Sequence, residues 1–369
     1  MSSQMTESKS INALFQPWSI KDLHMKNRTV MAPMTRNFSP EGVPDENVVS
    51  YYRRRAESEV GLIVTEGTGI SHPASLDNEN IPRFYGEDAL NGWKKVVEAV
   101  HEAGGKIVPQ LWHVGMTRPL DDSSKSVPPV GPSGLNLHGE SVVDPLSDDE
   151  IELIIQAYAE AAKAAKDIGF DGIEIHGAHG YLIDQFFWDV TNKRTDQYGG
   201  NAVERTRFAA EVIKACRKAV GEDFPIIFRF SQWKMTDFEA KLAQTPDELR
   251  EFLAPLTEAG VDVYHCSTRR FWEPEFEGSS LNLAGWTKEL TGLPVITVGS
   301  IGLNDAFTER THAEMTSIDQ LVERLEENEF DLVAIGRPLL SDPAWVQKVK
   351  ENNAEAIVPF SKEALKELY

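Results

Sequence analysis

The sequence predicts a single (β/α)8 TIM barrel, an α/β fold in which eight parallel strands alternate with helices. Two observations carry this prediction: eight short apolar segments recur along the chain, and helical patterns lie between most of them. Short apolar runs that follow helices are typical of buried parallel strands. Periodicity alone would also fit a doubly wound open sheet, and the count of eight units favours the closed barrel.

The predicted strands cover residues 28–31, 62–65, 107–110, 172–175, 226–230, 263–266, 295–298 and 332–335. Three helices are predicted to start near Ser147, Thr245 and Ser317, because each of these residues precedes Glu or Gln by three positions. That spacing lets both side chains satisfy N–H groups at a helix start. These helices reach residues 167, 258 and 326. A further helical pattern, at residues 93–102, is stopped by Gly104 and Gly105.

No linker or second domain is recognisable, so residues 1–369 are interpreted as one TIM-barrel domain. Residues 1–12 are a candidate disordered segment. Residues 121–139 are rich in Pro, Ser and Gly and are predicted to form a loop.

The composition excludes several classes of partner. The formal net charge is −21 and the pI is near 4.9, and such a surface repels nucleic acid and anionic membranes. The two cysteines are too few for an iron–sulfur cluster or a cysteine-held zinc site. Few cysteines and the lack of an apolar N-terminal segment favour a cytoplasmic protein. Monomer and homo-oligomer both stay open.

Candidate site residues lie where predicted strands end, which is where this fold places catalytic groups. They are polar, aromatic or small, and they offer hydrogen-bond donors and close backbone approach around a flat space. They are Ala32, Pro33, Met34, Thr35, Gly67, Gln110, Trp112, His176, His179, Tyr181, Arg229, Gly299, Ser300, Gly336 and Arg337.

Gly336 and Arg337 follow the last predicted strand and precede a short helical stretch. Backbone amides at a helix start, together with a guanidinium, suit a phosphate group. A surface arginine beside a turn glycine would explain the same two residues.

His176, His179 and Tyr181 lie within six residues of one another. Two imidazoles can donate to an oxygen that gains negative charge, and a nearby phenol can deliver a proton. A metal site would also use histidines, but no third ligand with suitable spacing appears. Structural histidines in a loop are the other alternative.

Arg229 lies inside the apolar run 226–230. A charge buried in a strand needs an anionic partner. The partner is either a protein carboxylate, with Glu174 as the candidate, or an anionic cofactor.

Several segments together resemble the old yellow enzyme family. They lie at residues 31–36, 61–67, 110–112, 172–182, 194–200, 204–205 and 336–338. They occur in the family's order over nearly the whole chain, and the ordered set is more specific than any one segment. The chain has Thr35 where some members carry Cys, and His179 where others carry Asn.

The resemblance implies that FMN lies across the mouth of the barrel. Residues expected along its ring are Ala32, Pro33, Met34, Thr35, Gly67, Gln110 and Arg229. Residues expected at its phosphate are Gly299, Ser300, Gly336 and Arg337. Residues expected at the substrate are His176 and His179, which would hold its oxygen, Tyr181, which would donate a proton, and Trp112, which would line the pocket.

The resemblance implies an enzyme that reduces the activated C=C bond of α,β-unsaturated carbonyl or nitro compounds by ping-pong hydride transfer. FMN would be the cofactor and NADPH or NADH the reductant. One alternative is a multidomain relative with an iron–sulfur cluster, disfavoured by the two cysteines and the end at Tyr369. The other is a non-redox TIM barrel that binds a phosphometabolite or a flavin.

Overall fold

The computed structural model describes residues 11–120, 127–306 and 313–369. The strands are β1 (Trp18–Ile20), β2 (Leu23–Met25), β3 (Thr29–Met31), β4 (Leu62–Gly69), β5 (Lys106–Trp112), β6 (Ile173–His179), β7 (Ile226–Lys234), β8 (Val263–Ser267), β9 (Val295–Val298) and β10 (Leu332–Ile335). The α-helices are α1 (Glu46–Glu57), α2 (Glu87–Glu102), α3 (Asp148–Ile168), α4 (Leu182–Phe187), α5 (Arg207–Val220), α6 (Pro246–Ala259), α7 (Leu283–Thr291), α8 (Asp319–Glu326), α9 (Pro338–Ser341) and α10 (Trp345–Lys350).

Strands β3 to β10 form a closed parallel barrel, which confirms the predicted (β/α)8 fold. Each strand pairs with its neighbours in chain order, and β10 closes the ring by pairing with β3. One apolar layer lies between the barrel and its helices. A second layer fills the barrel interior, where Val30, Val64 and Ile296 pack together with Leu23 and Met25 of the β1–β2 hairpin. The interior is therefore a packed core at the end from which the strands start.

The predicted capping box is formed at one of the three helix starts that the sequence indicated. Ser147 and Glu150 form the reciprocal capping box of α3. Thr245 accepts from the backbone N–H of Glu248 at the start of α6, but Glu248 bonds the N–H of residue 244 instead of completing a box. The third predicted helix is present as α8, but without the expected capping box, because Ile318 occupies the N-cap position without a side-chain hydrogen bond and the Ser317 hydroxyl accepts from the N–H of residue 319.

Five strands extend beyond their predicted carboxyl ends. Strands β4, β6, β7 and β8 continue through segments that contain polar residues, and β5 continues through Leu111 and Trp112. His176 and His179 consequently lie on β6 and not in a loop after it. The β6–β7 register shifts between Gly177 and His179, and this irregularity turns the end of β6.

The predicted loop and terminal segments are only partly described. Residues 127–139 form an irregular loop as predicted, whereas 121–126 lie outside the described residues. Residues 1–10 of the candidate disordered segment also lie outside, and Asn12 begins a short 3-10 helix. Among the described residues, no helix is both long enough and apolar enough to cross a bilayer.

Candidate active site

A cavity of about 420 Å³ opens at the carboxyl ends of the barrel strands. Its walls include residues from β5, β6, β7, β8, β9 and β10 and from the loops that follow them. Fourteen of the fifteen candidate residues line it: Ala32, Pro33, Met34, Thr35, Gln110, Trp112, His176, His179, Tyr181, Arg229, Gly299, Ser300, Gly336 and Arg337. The structure thus brings these positions from six separate segments of the chain into one site.

Gly67 is the candidate that does not line the cavity. It lies behind Trp112, and a Cβ at this position would come within 2.3 Å of Trp112 Cε3. Glycine at 67 therefore allows the indole to lie against β4, with its ring close to the cavity wall. A direct contact between Gly67 and a cofactor stays a prediction.

The side chains of His176, His179 and Tyr181 form a compact group. The ring centroids of the two histidines are 5.2 Å apart, and those of His176 and Tyr181 are 5.1 Å apart. Tryptophans flank the group on both sides. Trp112 stacks with His176 at 5.9 Å, and Trp233 stacks with His179 at 4.5 Å. The two imidazoles are therefore fixed in orientation before any ligand binds.

Both histidines are neutral hydrogen-bonding groups at pH 7. Burial, reinforced by the charge of Arg229, lowers the pKa of His176 and of His179 well below the ordinary value. His176 Nδ1 accepts from the backbone N–H of Ala178 at 3.2 Å, so its proton lies on Nε2. His179 Nε2 lies 2.7 Å from Ser267 Oγ. Each neutral ring retains one N–H to donate.

Tyr181 keeps its proton through the physiological pH range. Burial raises the pKa of its phenol to about 12, and the negative charge of Asp77 adds to the effect. Its ring meets Trp112 edge-on at 4.9 Å. A neutral phenol beside two imidazoles is a suitable proton donor.

Arg229 is buried in β7, with 7% of its surface exposed. Within the described residues no carboxylate lies within 4.0 Å of it, and its Nε has no hydrogen-bond partner. Glu174 instead accepts from Gln110 Nε2 at 2.9 Å and contacts His265 Nδ1 at 2.7 Å. The alternative in which Glu174 pairs directly with Arg229 is therefore wrong, and a buried cation faces the cavity.

The predicted phosphate region combines positive-φ backbone at Gly299 and Ser300 with an arginine. Gly299 has φ +133°, and a Cβ there would lie 2.6 Å from the carbonyl oxygen of Thr268. The Ser300 hydroxyl donates to the carbonyl oxygen of Asp305 at 2.8 Å, and the Arg337 guanidinium donates to the same oxygen. Space around Gly336 is open, since a Cβ there would meet nothing closer than 3.6 Å.

Several cavity residues were missed by the sequence analysis. Trp233 and Met235 come from the end of β7 and the loop after it, and Ser267 ends β8. The corresponding predicted strands ended at residues 230 and 266, so these positions were not predicted to lie at strand ends. Phe360 and Leu365 come from the C-terminal segment, which has no periodic pattern that would signal a cavity wall.

The C-terminal segment, residues 358–369, is held in place by hydrogen bonds from Arg36, which directly follows Thr35 in the chain. Arg36 Nη2 donates to the backbone carbonyl oxygens of Ala364 at 2.8 Å and Glu367 at 2.7 Å. The Arg36 backbone N–H donates to Glu66 Oε2 at 3.0 Å. One arginine therefore links this outer wall to the loop that borders the cavity.

These features are typical of an enzyme active site at the end of a barrel. The site offers neutral imidazole N–H groups that can donate to an oxygen atom, a phenol that can donate a proton, and buried positive charge. A model of the NADH:flavin oxidoreductase / NADH oxidase family matches residues 13–356. NADH oxidase of Thermoanaerobacter brockii is 38% identical over 356 residues, which are 93% of this chain and 52% of that protein. NADPH dehydrogenase of Bacillus velezensis is 33% identical, over 94% of this chain and 97% of that protein.

Solved structures agree with this match. Old Yellow Enzyme from Pichia sp. superposes with a TM-score of 0.80 at 26% identity, over 97% of this chain and 91% of that one. The chain belongs to the NADH:flavin oxidoreductase / NADH oxidase family, and the predicted resemblance is confirmed. Some members are longer, and the chain spans about half the length of the Thermoanaerobacter protein.

FMN is the cofactor of this family and a reduced nicotinamide its reductant, which confirms the predicted cofactors. The residues of the cavity fit FMN. The unpartnered Nε of buried Arg229 offers a cation to an anionic group, and Arg337 beside the open backbone of Gly336 offers a second one. The cavity also has the size of a small-molecule site, typically about 300–1,000 Å³.

Proposed function

We propose that this chain reduces the activated C=C bond of α,β-unsaturated carbonyl or nitro compounds. FMN, when bound, would supply the hydride chemistry that links NAD(P)H to the alkene, with both half-reactions using one site in a ping-pong sequence. The protein supplies orientation, hydrogen bonds and a proton. The proposed binding partners are small-molecule activated alkenes. Residues 1–369 are proposed to form one FMN-binding domain.

The residues divide the work between oxygen binding and proton transfer. His176 and His179 donate to the carbonyl or nitro oxygen of the substrate and stabilise the negative charge that builds on it. Tyr181 donates its phenolic proton to the α-carbon. Trp112 holds the substrate against these groups as one wall of the pocket.

The remaining candidate residues hold the cofactor. Arg229 would favour negative charge on the flavin ring, while Arg337 and the backbone around Gly299, Ser300 and Gly336 would hold the phosphate. The residues that would contact the ring are Ala32, Pro33, Met34, Thr35 and Gln110. Gly67 acts through Trp112 in the described geometry and keeps its proposed place at the ring edge.

One observation carries the proposal. The rings of His179 and Tyr181 lie 5.2 and 5.1 Å from that of His176, in a cavity that also holds buried Arg229, which has no carboxylate within 4.0 Å among the described residues. Histidines with a purely structural role would not need to lie in a cavity beside a buried cation. A metal site is also not supported, because among the described residues no cluster of three His, Cys, Asp or Glu side chains could hold a metal. The group therefore supports binding of an oxygen that becomes anionic.

The experiment is an anaerobic spectral titration of the purified protein. We expect a flavin spectrum that bleaches with NADPH and returns when cyclohexenone is added. A protein that is colourless and takes up no added FMN would instead support the alternative, a non-redox barrel that binds a phosphorylated metabolite. A flavin that bleaches but does not recover with any enone or nitroalkene would contradict the proposed acceptor class.

The reductant and the compartment are part of the same proposal. Relatives are named for NADH and for NADPH, and we propose NADPH as a reductant of this chain, with NADH as the alternative in a stopped-flow comparison. Cys216 and Cys266 are both buried and free, as expected in a reducing compartment. We infer a cytoplasmic location.

A further inference from the structure

A tight turn connects β6 to α4 and carries the proposed active-site residues. His179 has φ +66° and Gly180 has φ +84°, so two successive residues adopt the left-handed conformation. A residue with a Cβ seldom adopts this conformation unless its surroundings enforce it. The direction in which His179 and Tyr181 point therefore depends on what holds the turn.

Two buried side chains of α4 hold the peptide groups of Gly180. Asp184 Oδ2 accepts from the Gly180 N–H at 2.8 Å, and Gln185 Nε2 donates to the Gly180 carbonyl oxygen at 2.8 Å. Neither Asp184 nor Gln185 is exposed to solvent. The turn is thus fixed by specific hydrogen bonds and not by chain connectivity alone.

The carboxylate of Asp184 is shared with a lysine from the neighbouring strand. Asp184 Oδ1 lies 2.7 Å from Lys234 Nζ, and both side chains are fully buried. Lys234 is opposite His179 where the β6–β7 register shifts, and the N–H of Met235 donates to the carbonyl oxygen of His179 at 3.3 Å. The ion pair therefore joins the end of β7 to the turn.

We propose that Asp184 and Lys234 are positioning residues for His179 and Tyr181. Asp184 fixes the turn through the Gly180 N–H, and Lys234 supplies the charge that makes a buried carboxylate tolerable there. A buried ion pair contributes little net stability relative to apolar residues, so a positional role explains its presence better than a stabilising role. The inference rests on the proposed function, because that function gives His179 and Tyr181 the roles for which the turn orients them.

The test uses two double variants of the FMN-loaded protein that remove both charges of the Asp184–Lys234 pair. Asp184→Asn/Lys234→Met keeps an oxygen that can accept from Gly180, whereas Asp184→Leu/Lys234→Met has a side chain of similar size without an acceptor. Both remove the charge that a single substitution would strand, so both are expected to fold. Crystal structures give the φ of His179, and spectral titration with p-chlorophenol gives ligand affinity.

We expect the Asn variant to keep the left-handed turn and to bind the phenol within about threefold of the wild type. We expect the Leu variant to lose the turn and to bind the phenol about tenfold more weakly, which corresponds to one hydrogen-bond-sized contribution. Reoxidation by dioxygen, which needs no oxygen-binding histidine, should be equal in both.

Two outcomes would overturn the proposal. One is a Leu variant whose His179 keeps φ near its present value, and the other is equal phenol affinity in the two variants. The crystal structures decide the question even if the wild type binds no phenol. That last result would count against the proposed function and not against the role of Asp184 in the turn.

Discussion

Tyr181 shows how burial of a single residue creates a reactive group. Burial raises its pKa to about 12, so the phenol is protonated throughout the physiological pH range. The group can donate a proton only to a base that forms during the reaction, which is the role proposed for it at the α-carbon.

Tyr181→Phe removes this proton while keeping the ring and its contact with Trp112. We expect reduction of cyclohexenone to slow by about 100-fold or more, the usual contribution of a positioned acid. Reduction of the flavin by NADPH should stay within about twofold, because that step needs no proton from Tyr181. Stopped-flow measurement of both half-reactions checks this, and an equal loss in the two would argue against Tyr181 as the donor.

The two imidazoles are expected to bind an anionic oxygen of an inhibitor as they would that of the substrate. His176→Ala and His179→Ala should each weaken binding of p-substituted phenols by about tenfold, since each removes one hydrogen bond to a charged oxygen. The exposed His138 provides a matched control, and His138→Ala should leave the affinity unchanged. Unchanged affinity in both active-site variants would remove them from the oxygen-binding role.

At the scale of the element, strand ends matter most to the site. Apolar runs predicted the starts of the barrel strands because each start packs in a buried layer, as Leu62 and Val295 do. They did not predict the carboxyl ends, because β6 and β7 continue through residues that line the cavity, such as His176 and Trp233. The limit is physical: hydrophobic patterning reports burial in a core and not burial against a ligand.

The C-terminal segment is an element that sequence patterning could not place. Its one short 3-10 helix has no apolar periodicity, and its position depends on backbone carbonyls that bind Arg36. Any residue at positions 364 and 367 could supply those backbone carbonyls, so no residue type in the sequence indicates this contact with Arg36. The wall formed by Phe360 and Leu365 is visible only in the folded structure.

Arg36→Met should loosen this wall by removing two charge-assisted hydrogen bonds. We expect faster amide hydrogen exchange in residues 358–369 and a several-fold higher KM for cyclohexenone. Arg54→Met is the matched control, because Arg54 contacts the segment through a cation–π interaction with Tyr369 at 4.0 Å. Exchange that is as fast in the control variant as in Arg36→Met would contradict the assigned role.

At the scale of the whole molecule, the barrel keeps many histidines neutral. Burial lowers the pKa of five of them: His72, His113, His176, His179 and His265. Because these groups take up protons more readily when the chain is unfolded, acid favours unfolding below their unfolded pKa of about 6.5. Glu66 opposes the effect, since burial raises its pKa to about 7.

Burial also raises the pKa of Asp184, but the five histidines outnumber these two carboxyls, so the free energy of unfolding should fall as the pH drops from about 6.5 to 5. Urea unfolding of the protein at pH 7.5, 6.0 and 5.0 would measure the change. Glu66→Gln should make the decline between pH 7 and 5 steeper, because the opposing proton uptake is lost. A free energy of unfolding that is constant over this range would contradict the predicted burial of neutral histidines.

The whole-molecule fold and most of the site followed from the sequence. Eight repeated units predicted the barrel, and placing candidate residues at strand ends brought fourteen of fifteen to one cavity. The exception, Gly67, is explained by packing, because its missing side chain accommodates the Trp112 ring. Pairings between side chains, such as Glu174 with His265, could not be predicted since they depend on the strand register of the closed barrel.

The central claim is that one cavity seats FMN and binds the substrate oxygen between two neutral histidines. A crystal structure of the FMN-loaded protein with p-chlorophenol tests it most directly. We predict the flavin ring across the carboxyl ends of the strands, its phosphate beside Arg337, and the phenolic oxygen within hydrogen-bond distance of His176 and His179. Density that places the phenol away from both imidazoles, or the phosphate away from Arg337, would contradict the account.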